Sequence, residues 1–165
     1  MGLFAKIFGA VPQEEMDCIH LDMTRPFWEV AGETDFPSLL TAASDLLPKE
    51  CVLYFEGGVH PGVLKEFFRQ HEMPAGAKVA YGTIWPSPSV YHLPATPEIL
   101  QQLAVITKPL AAPEVASHFH VYRQQVVLLQ CHDAFSLPLL LSGEFAEESV
   151  KAFAERQHMT VRRGR

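Results

Sequence analysis

The sequence predicts a mixed α+β domain, in which a largely antiparallel sheet is packed with about four helices and a short amphipathic helix precedes them. Apolar residues recur with helical spacing in some segments and with strand spacing in others, and the two kinds alternate along the chain. Two strand-like segments, residues 117–123 and 125–132, are separated by Gln124 alone, as in a hairpin. Because hairpins join antiparallel strands, a purely parallel sheet is not expected.

The first half of the domain contains two predicted helices with a strand between them. A helix over residues 37–47 has Thr34 or Asp35 as its cap and ends at a proline. The apolar run 51–55 then predicts a buried strand, which two glycines close. A second helix over residues 61–71 begins with a proline, which suits the first turn of a helix.

The second half adds most of the strands. Thr96 and Pro97 are typical of a helix start, since threonine caps the helix and proline occupies its first turn. Residues 17–35 show no clear pattern. The remaining predicted elements are strands at 78–83 and 89–93, a helix to residue 107, the hairpin 117–132, a strand at 137–141, a helix at 144–158 and an edge strand at 159–163.

Residues 1–12 form an amphipathic segment that we separate from a single domain over residues 13–165. Leu3, Phe4, Ile7, Phe8 and Val11 recur at helical spacing and share one face. This segment has three interpretations: docking onto its own domain, contact with a partner, or membrane contact through residues 2–11. Helices that lie on membranes usually carry several basic residues, whereas this one carries only Lys6, which weighs against the membrane.

Charge and cysteine content restrict the class of protein. The net charge is −6, with 12 acidic and 5 basic residues among the first 75, and no basic stripe that would bind nucleic acid. The three cysteines are far apart, which favours reduced thiols over disulfides. No apolar run approaches the ~20 residues of a membrane-spanning helix. We therefore expect a soluble, cytoplasmic protein that does not bind nucleic acid.

Histidines on the predicted hairpin form a candidate metal site. His118 and His120 share one face of a strand, and a hairpin centred on Gln124 places them opposite Gln130 and Leu128. His132 then lies on the same face, and it could bind a zinc-like ion with them and Asp133. A slip of one residue turns His132 to the other face. Alternatively, these are ordinary polar residues of a half-exposed sheet face.

An aromatic, proline-rich segment is the candidate binding surface. It contains Tyr81, Trp85, Tyr91 and His92, and rigid loops that present tryptophan and tyrosine provide contact area at low entropic cost. Alternatively, Trp85 covers the edge of the sheet.

No pattern typical of a catalytic site is present. The sequence lacks the nucleophile elbow of serine hydrolases, and no cysteine has the electropositive setting of a nucleophile. We therefore predict a non-catalytic, protein-binding or regulatory domain without a cofactor, whose partner is another protein or a second copy. The alternative is a metal-dependent hydrolase that uses zinc, or a similar divalent transition metal, at the histidines.

Overall fold

Seven strands form one sheet in the computed structural model, which describes residues 18–164. The sequence-predicted segment 1–12, and with it the boundary at residue 13, lies outside the described residues. The strands are β1 (Phe27–Ala31), β2 (Val52–Glu56), β3 (Val90–Pro94), β4 (His118–Arg123), β5 (Val126–Cys131), β6 (Leu139–Ser142) and β7 (Thr160–Gly164).

The sheet confirms the predicted fold class. Its strand order is β3-β2-β4-β5-β6-β1-β7, and every pairing between these neighbours is antiparallel. A parallel contact occurs outside the strands, at the bridge between Ile19 and Val79.

In the described part of the chain, four helices of nine or more residues pack on the sheet, as the sequence predicts. Asp35 caps the first through the Ser38 amide and Thr96 caps the third through the Ile99 amide. No helix in residues 18–164 is long and apolar enough to cross a bilayer. The helices are α1 (Phe36–Leu46), α2 (Gly62–His71), α3 (Pro97–Thr107) and α5 (Glu147–Glu155), with a single turn, α4 (Ala112–Val115), before β4.

The two faces of the sheet have different coverings. The larger apolar cluster lies between the helices and one face of the sheet. It contains buried apolar residues of every helix together with strand residues such as Phe55, Phe119 and Leu141. The smaller cluster lies on the second face and combines strand residues such as Tyr54 and Tyr122 with the irregular segments 19–21 and 73–79. Within residues 18–164 the helices therefore occupy one face, and irregular chain covers part of the other.

Two segments differ from the sequence prediction. β1 lies between β6 and β7, and its adjacent Phe27 and Trp28 are both buried, which hides the alternation expected of a strand. The predicted strand at 78–83 is reduced to the bridge at Val79, because the amides of Gly82 and Thr83 donate to a side chain instead of to a neighbouring strand.

The β4–β5 hairpin is confirmed, but its predicted register is wrong by two residues. Gln124, whose φ is 55°, and Gln125 form a two-residue loop, and a β-bulge adds one residue in β5. His120 consequently pairs with Gln130, not with Leu128. A shift of two residues keeps each side chain on its face, so the histidines still share one surface.

Phe36 provides a test of the helix-covered core. Its ring is buried and lies 4.8 Å from the Phe135 ring and 5.8 Å from the Phe119 ring, measured between centroids. We expect Phe36→Ala to lower the free energy of unfolding by about 3–5 kcal/mol, since it leaves a cavity. Urea denaturation would measure this, with the exposed Val105→Ala as control. Equal effects of the two substitutions would contradict this description of the core.

Candidate functional site

The second face of the sheet holds a cluster of buried polar side chains on neighbouring strands. Glu56 of β2 pairs in register with His118 of β4, and Tyr54 pairs with His120. Alternate residues of a strand share a face, so these four side chains lie side by side. Glu56 has no exposed surface and His120 is 1% exposed. Burial of this many polar groups is costly unless hydrogen bonds satisfy them.

Three hydrogen bonds satisfy the Glu56 carboxylate. The Tyr54 hydroxyl donates to Oε2 at 2.8 Å, the Gly82 amide donates to Oε2 at 3.1 Å, and the Thr83 amide donates to Oε1 at 2.6 Å. All three groups donate, which matches an ionised carboxylate, because that form only accepts. Burial raises the pKa of the Tyr54 hydroxyl, and its bond to Glu56 raises it further, so the hydroxyl keeps its proton.

His118 and His132 form a hydrogen-bonded pair. Their Nδ1 atoms are 3.0 Å apart, and the backbone amide of Asp133 also points at His118 Nδ1, at 3.4 Å. A backbone amide can only donate, so His118 Nδ1 is an acceptor and His132 Nδ1 carries the hydrogen between them.

Gln130 supports the same proton arrangement from the other side. The Leu21 amide donates to Gln130 Oε1 at 3.2 Å, which places the Gln130 amide nitrogen against His132 Nε2. That nitrogen donates, so His132 Nε2 accepts and its Nδ1 carries the proton. Three hydrogen bonds thus follow one another: Leu21 donates to Gln130, Gln130 donates to His132, and His132 donates to His118.

His120 is the most deeply buried imidazole of the cluster. Its ring stacks on Tyr54 with 5.4 Å between centroids, and its Nδ1 has no hydrogen-bond partner among residues 18–164. Burial first, and then the neighbouring His132 and His118, lower the pKa of His120 to about 3. The ring is therefore neutral at physiological pH.

A left-handed turn follows β5 and positions His132 and Asp133. Asp133, Ala134 and Phe135 all have positive φ, between 47° and 71°, which costs roughly 1–2 kcal/mol per L-residue. Two contacts compensate: the Ala134 amide donates to the Ser117 carbonyl at 2.8 Å, and Phe135 packs on the apolar core.

The metal site predicted from the sequence is assembled only in part. The structure brings His118, His120 and His132 together. The ring centroid of His132 lies 5.1 Å from that of His118 and 5.1 Å from that of His120. Asp133 is exposed, and its Oδ1 is 3.8 Å from His118 Nε2. Within residues 18–164, no group of three or more His, Cys, Asp or Glu side chains is arranged to hold a metal ion. Metal binding here stays a prediction from the sequence.

The 81–88 loop projects apolar residues from this cluster. Ile84 is 99% exposed and Trp85 is 85% exposed, and Tyr81 is exposed beside them. The bonds of Gly82 and Thr83 to Glu56 hold the start of the loop. The Gly57 amide holds its end by donating to the Ser89 carbonyl at 2.9 Å. Both ends of the 81–88 loop are thus attached to the last residues of β2 and its turn.

Tyr91 and His92, the other predicted binding residues, do not accompany Trp85. Both belong to β3, and Tyr91 packs against Phe68 at 4.8 Å between centroids. His92 is buried, with its Nδ1 2.9 Å from the Tyr122 hydroxyl, and burial lowers its pKa. Only Tyr81 and Trp85 of the predicted set lie on an exposed surface.

The buried cysteines lack the setting of nucleophiles. Burial raises the pKa of the Cys51 thiol to about 11 and that of the Cys131 thiol to about 12. Both side chains are buried in the helix-covered core, as the apolar runs around them predict. A thiol with so high a pKa is almost entirely protonated at neutral pH, and the thiolate is the nucleophile.

Comparisons of the chain with protein-family models, with curated proteins and with solved structures give no match. The geometry of the cluster and of the 81–88 loop is therefore what bears on function.

Local sequence patterns do not reveal the partners that bind the cluster together. Glu56 was recognisable as a charged residue at the end of an apolar strand, but two of its three donors come from a loop 26 and 27 residues away. One signal was available: no Asp, Glu, Lys or Arg occurs between Lys78 and Glu98, which makes the 81–88 loop uncharged throughout.

Gly82 tests the contact between the loop and the cluster. A Cβ at this position would lie 2.6 Å from Cδ2 and Nε2 of the His118 ring. We expect Gly82→Ala to lower the free energy of unfolding by about 1–3 kcal/mol, because overpacking forces the ring or the loop to move. In a His118→Ala background the same substitution should cost less, since the ring is absent. Urea denaturation of the four proteins would measure this coupling.

Gly62→Ala is the matched control, because a Cβ there has nothing within 4 Å. Gly62 begins α2, where alanine is not expected to destabilise the helix. Equal losses at residues 62 and 82 would contradict the predicted clash.

Acidification should destabilise the protein through its buried imidazoles. Burial is the main cause that lowers the pKa of His60, His92, His120 and His132. In the unfolded chain these imidazoles bind protons near pH 6.5, whereas in the folded chain they bind them only at lower pH. The free energy of unfolding is therefore highest above pH 6.5 and falls as the pH drops below that value. For His120 alone, the expected loss between pH 6.5 and 5 is about 2 kcal/mol.

His120→Phe isolates this contribution, since it keeps a ring against Tyr54 and removes the titrating group. Urea denaturation at several pH values should show a shallower loss of stability below pH 6.5 in the variant. If the two proteins lose stability in parallel, His120 does not titrate as described.

Proposed function

We propose that this chain is a protein-interaction module that binds its partner through the 81–88 loop. The observation that carries the proposal is the exposure of Ile84 and Trp85 at the tip of a loop whose two ends are attached to β2 and to the turn that follows it. Large apolar side chains gain free energy when they leave water, roughly 1.5–3 kcal/mol for an isoleucine-sized group. Ile84 and Trp85 at the tip of the loop gain this free energy only when they are buried in the surface of another molecule.

The attachment of the loop favours binding. Ordering a mobile loop on association reduces affinity, and a loop that is already held loses less entropy. Gly82, Thr83 and Ser89 are hydrogen-bonded in the unbound chain, so the tip is presented on an ordered base. Tryptophan is also among the residues that most often dominate the energy of an interface.

The absence of charge in the loop favours a protein partner over a membrane. A surface that binds anionic lipids normally uses Lys and Arg beside its apolar residues. The sequence from residue 79 to residue 97 contains neither, and the chain carries a net charge of −6. The partner that fits is therefore a protein with an uncharged, apolar pocket and a hydrogen-bond acceptor for the indole N–H.

The metal-dependent hydrolase is not the function that we propose. His132 uses Nδ1 for His118 and Nε2 for Gln130, so both its nitrogens already have protein partners. The histidine cluster is moreover largely buried, with the 81–88 loop against its edge at Gly82.

Site-specific photo-crosslinking tests the proposal. A photoreactive phenylalanine analogue is introduced at Trp85 or, as the matched control, at Val105, which is also exposed but lies on α3. In the cells that make the protein, irradiation should join a discrete protein to residue 85 and not to residue 105. The joined protein is then identified, purified and titrated by calorimetry.

With the purified partner, we expect Trp85→Ser to weaken affinity by about 30-fold or more, as at an interface hot spot. Val105→Ser should leave the affinity nearly unchanged. Equal affinities of the two variants would overturn the proposal. A second outcome would also overturn the proposal: the unaltered chain sediments with phosphatidylcholine or phosphatidylserine vesicles and the Trp85→Ser variant does not. The loop would then be a membrane contact.

A further inference from the structure

The outer side of β7 is an open strand edge at one end of the sheet. We propose that this edge binds an extended, acidic segment of another protein, which joins the sheet as an additional strand antiparallel to β7. β7 lies at the opposite end of the strand order from β3 and its neighbour β2. Since the 81–88 loop is attached to Glu56 of β2, the two surfaces lie toward opposite ends of the sheet and bind independently.

The backbone of β7 is hydrogen-bonded on one side. Its five residues, Thr160–Gly164, pair with β1 in an unbroken antiparallel register. In such a strand the N–H and C=O groups of successive residues point to opposite sides, so about half of them face away from β1. Among residues 18–164, no backbone group donates to or accepts from these outward groups. A row of this kind is a template for another strand.

The edge at the other end of the sheet is partly closed. The Met73 amide donates to the His92 carbonyl of β3 at 2.9 Å, so irregular chain already occupies part of that edge. β3 also ends at Pro94, which has no N–H to donate to a further strand. β7 contains no proline, and its register with β1 contains no bulge. Of the two sheet edges in the described chain, β7 is therefore the one open to strand addition.

The two arginines of β7 leave its edge open because their side chains extend over β1. Arg162 Nε donates to Glu29 Oε2 at 3.0 Å, and these two residues are partners in the β1–β7 register. The Arg163 guanidinium lies over Trp28, with its Cζ 4.8 Å from the ring centroid. Charged side chains on an edge strand commonly block the approach of another strand. Here both side chains point inward along the sheet, so they flank the free backbone without covering it.

The charge of this edge favours an acidic segment. Residues 159–165 contain three arginines and no acidic residue, in a chain whose net charge is −6. Among residues 18–164, Arg163 has no salt-bridge partner, and Glu147 interacts with it only at longer range. A guanidinium has five N–H donors, and Glu29 receives two of those of Arg162. Both arginines thus retain donors for the carboxylates of an added strand.

A second copy of this chain fits the edge less well. Antiparallel pairing of two β7 strands about a two-fold axis would bring the arginines of both copies onto the same short ladder. Like charges on directly opposite residues destabilise a pair of strands, whereas opposite charges stabilise it. The occupant that complements the edge is therefore a different, acidic chain.

The positions of the arginines also specify the spacing of the acidic residues. Successive residues of a strand point to opposite faces of the sheet, so Arg162 and Arg163 lie on different faces. Each arginine then needs a carboxylate on its own face. Two consecutive acidic residues in an extended segment provide this, with small or β-branched residues on either side that favour a strand.

A synthetic peptide tests the edge directly. The probe is fluorescein-labelled Thr-Val-Glu-Glu-Val-Thr, and its control carries two lysines in place of the glutamates. By fluorescence anisotropy with the full chain, the acidic peptide should bind about ten-fold more tightly at low ionic strength, because favourable cross-strand charge pairs replace unfavourable ones. Added salt should reduce this difference, since exposed charges are screened. Equal affinities of the two peptides, or no binding of either, would overturn the inference.

Methylation of the peptide backbone distinguishes strand addition from attraction between charges alone. Two further acidic peptides carry N-methyl groups, one at its odd-numbered residues and the other at its even-numbered residues. An added strand bonds to β7 through one of its own edges, so the peptide whose donors on that edge are methylated should lose binding. Unchanged affinity of both methylated peptides would show that no strand is added.

Substitutions at Arg163 test the contribution of charge on the side of the chain. Arg163→Glu should weaken binding of the acidic peptide about ten-fold. Arg163→Gln keeps most of the stem over Trp28 and removes the charge, so it should weaken binding about three-fold while urea denaturation shows a nearly unaltered stability. The matched control is Arg69→Glu, which alters an exposed arginine of α2 and should leave binding unchanged. Equal effects at residues 69 and 163 would contradict the proposal.

NMR of the isotopically labelled full chain locates the bound peptide. The amides of residues 160–164 should shift on addition of the acidic peptide, and those that face outward should become protected from exchange, whereas the Leu93 amide of β3 should not change. Trp85→Ser should bind the peptide like the unaltered chain, so failure at β7 and failure of the crosslink at residue 85 are separate results. Shifts confined to the 81–88 loop would overturn the inference. A dimer in sedimentation equilibrium with protected β7 amides would do so too, because a second copy would then occupy the edge.

Discussion

A carboxylate with no exposed surface, that of Glu56, is the constraint on which this region of the molecule depends. Removing an ionised group from water costs several kcal/mol unless its oxygens receive hydrogen bonds. One donor comes from Tyr54, two residues earlier in β2, and the other two come from backbone amides of the 81–88 loop. Meeting this requirement determines where the loop begins, prevents residues 82 and 83 from joining a strand, and brings a glycine against His118.

The same requirement separates the two faces of the sheet. The helix-covered face buries mainly apolar residues, although His60 packs against Phe68 there, so its stability comes mostly from the removal of hydrocarbon from water. The second face depends on directed hydrogen bonds, which link Leu21, Gln130, His132 and His118 in a single chain of donors and acceptors. Such a network depends on every one of its members, because a partly satisfied buried network loses the hydrogen bonds that compensate for its burial.

Local patterns were sufficient for much of the fold. Caps, prolines and apolar spacing located the four long helices, and the paired apolar runs located the β4–β5 hairpin. β1 was missed because Phe27 and Trp28 are both buried, which removes the alternation that a strand normally shows. The register of the hairpin was wrong by one residue because its loop contains Gln125 as well as Gln124, and by one more because of the bulge in β5. The bulge depends on packing and not on any single residue type.

For the candidate site, the sequence by itself determined which residues could take part. Strand alternation placed His118 and His120 on one face, and the spacing survived a two-residue shift in register because the period of a strand is two. The exposed tip at Trp85 was equally recognisable as an aromatic segment. Only the tertiary structure decided that Glu56 joins the cluster to the loop, that His132 donates to His118, and that Tyr91 and His92 pack against neighbouring rings. Those outcomes depend on contacts between residues far apart in the chain, and no local pattern records which distant donor will satisfy a buried acceptor.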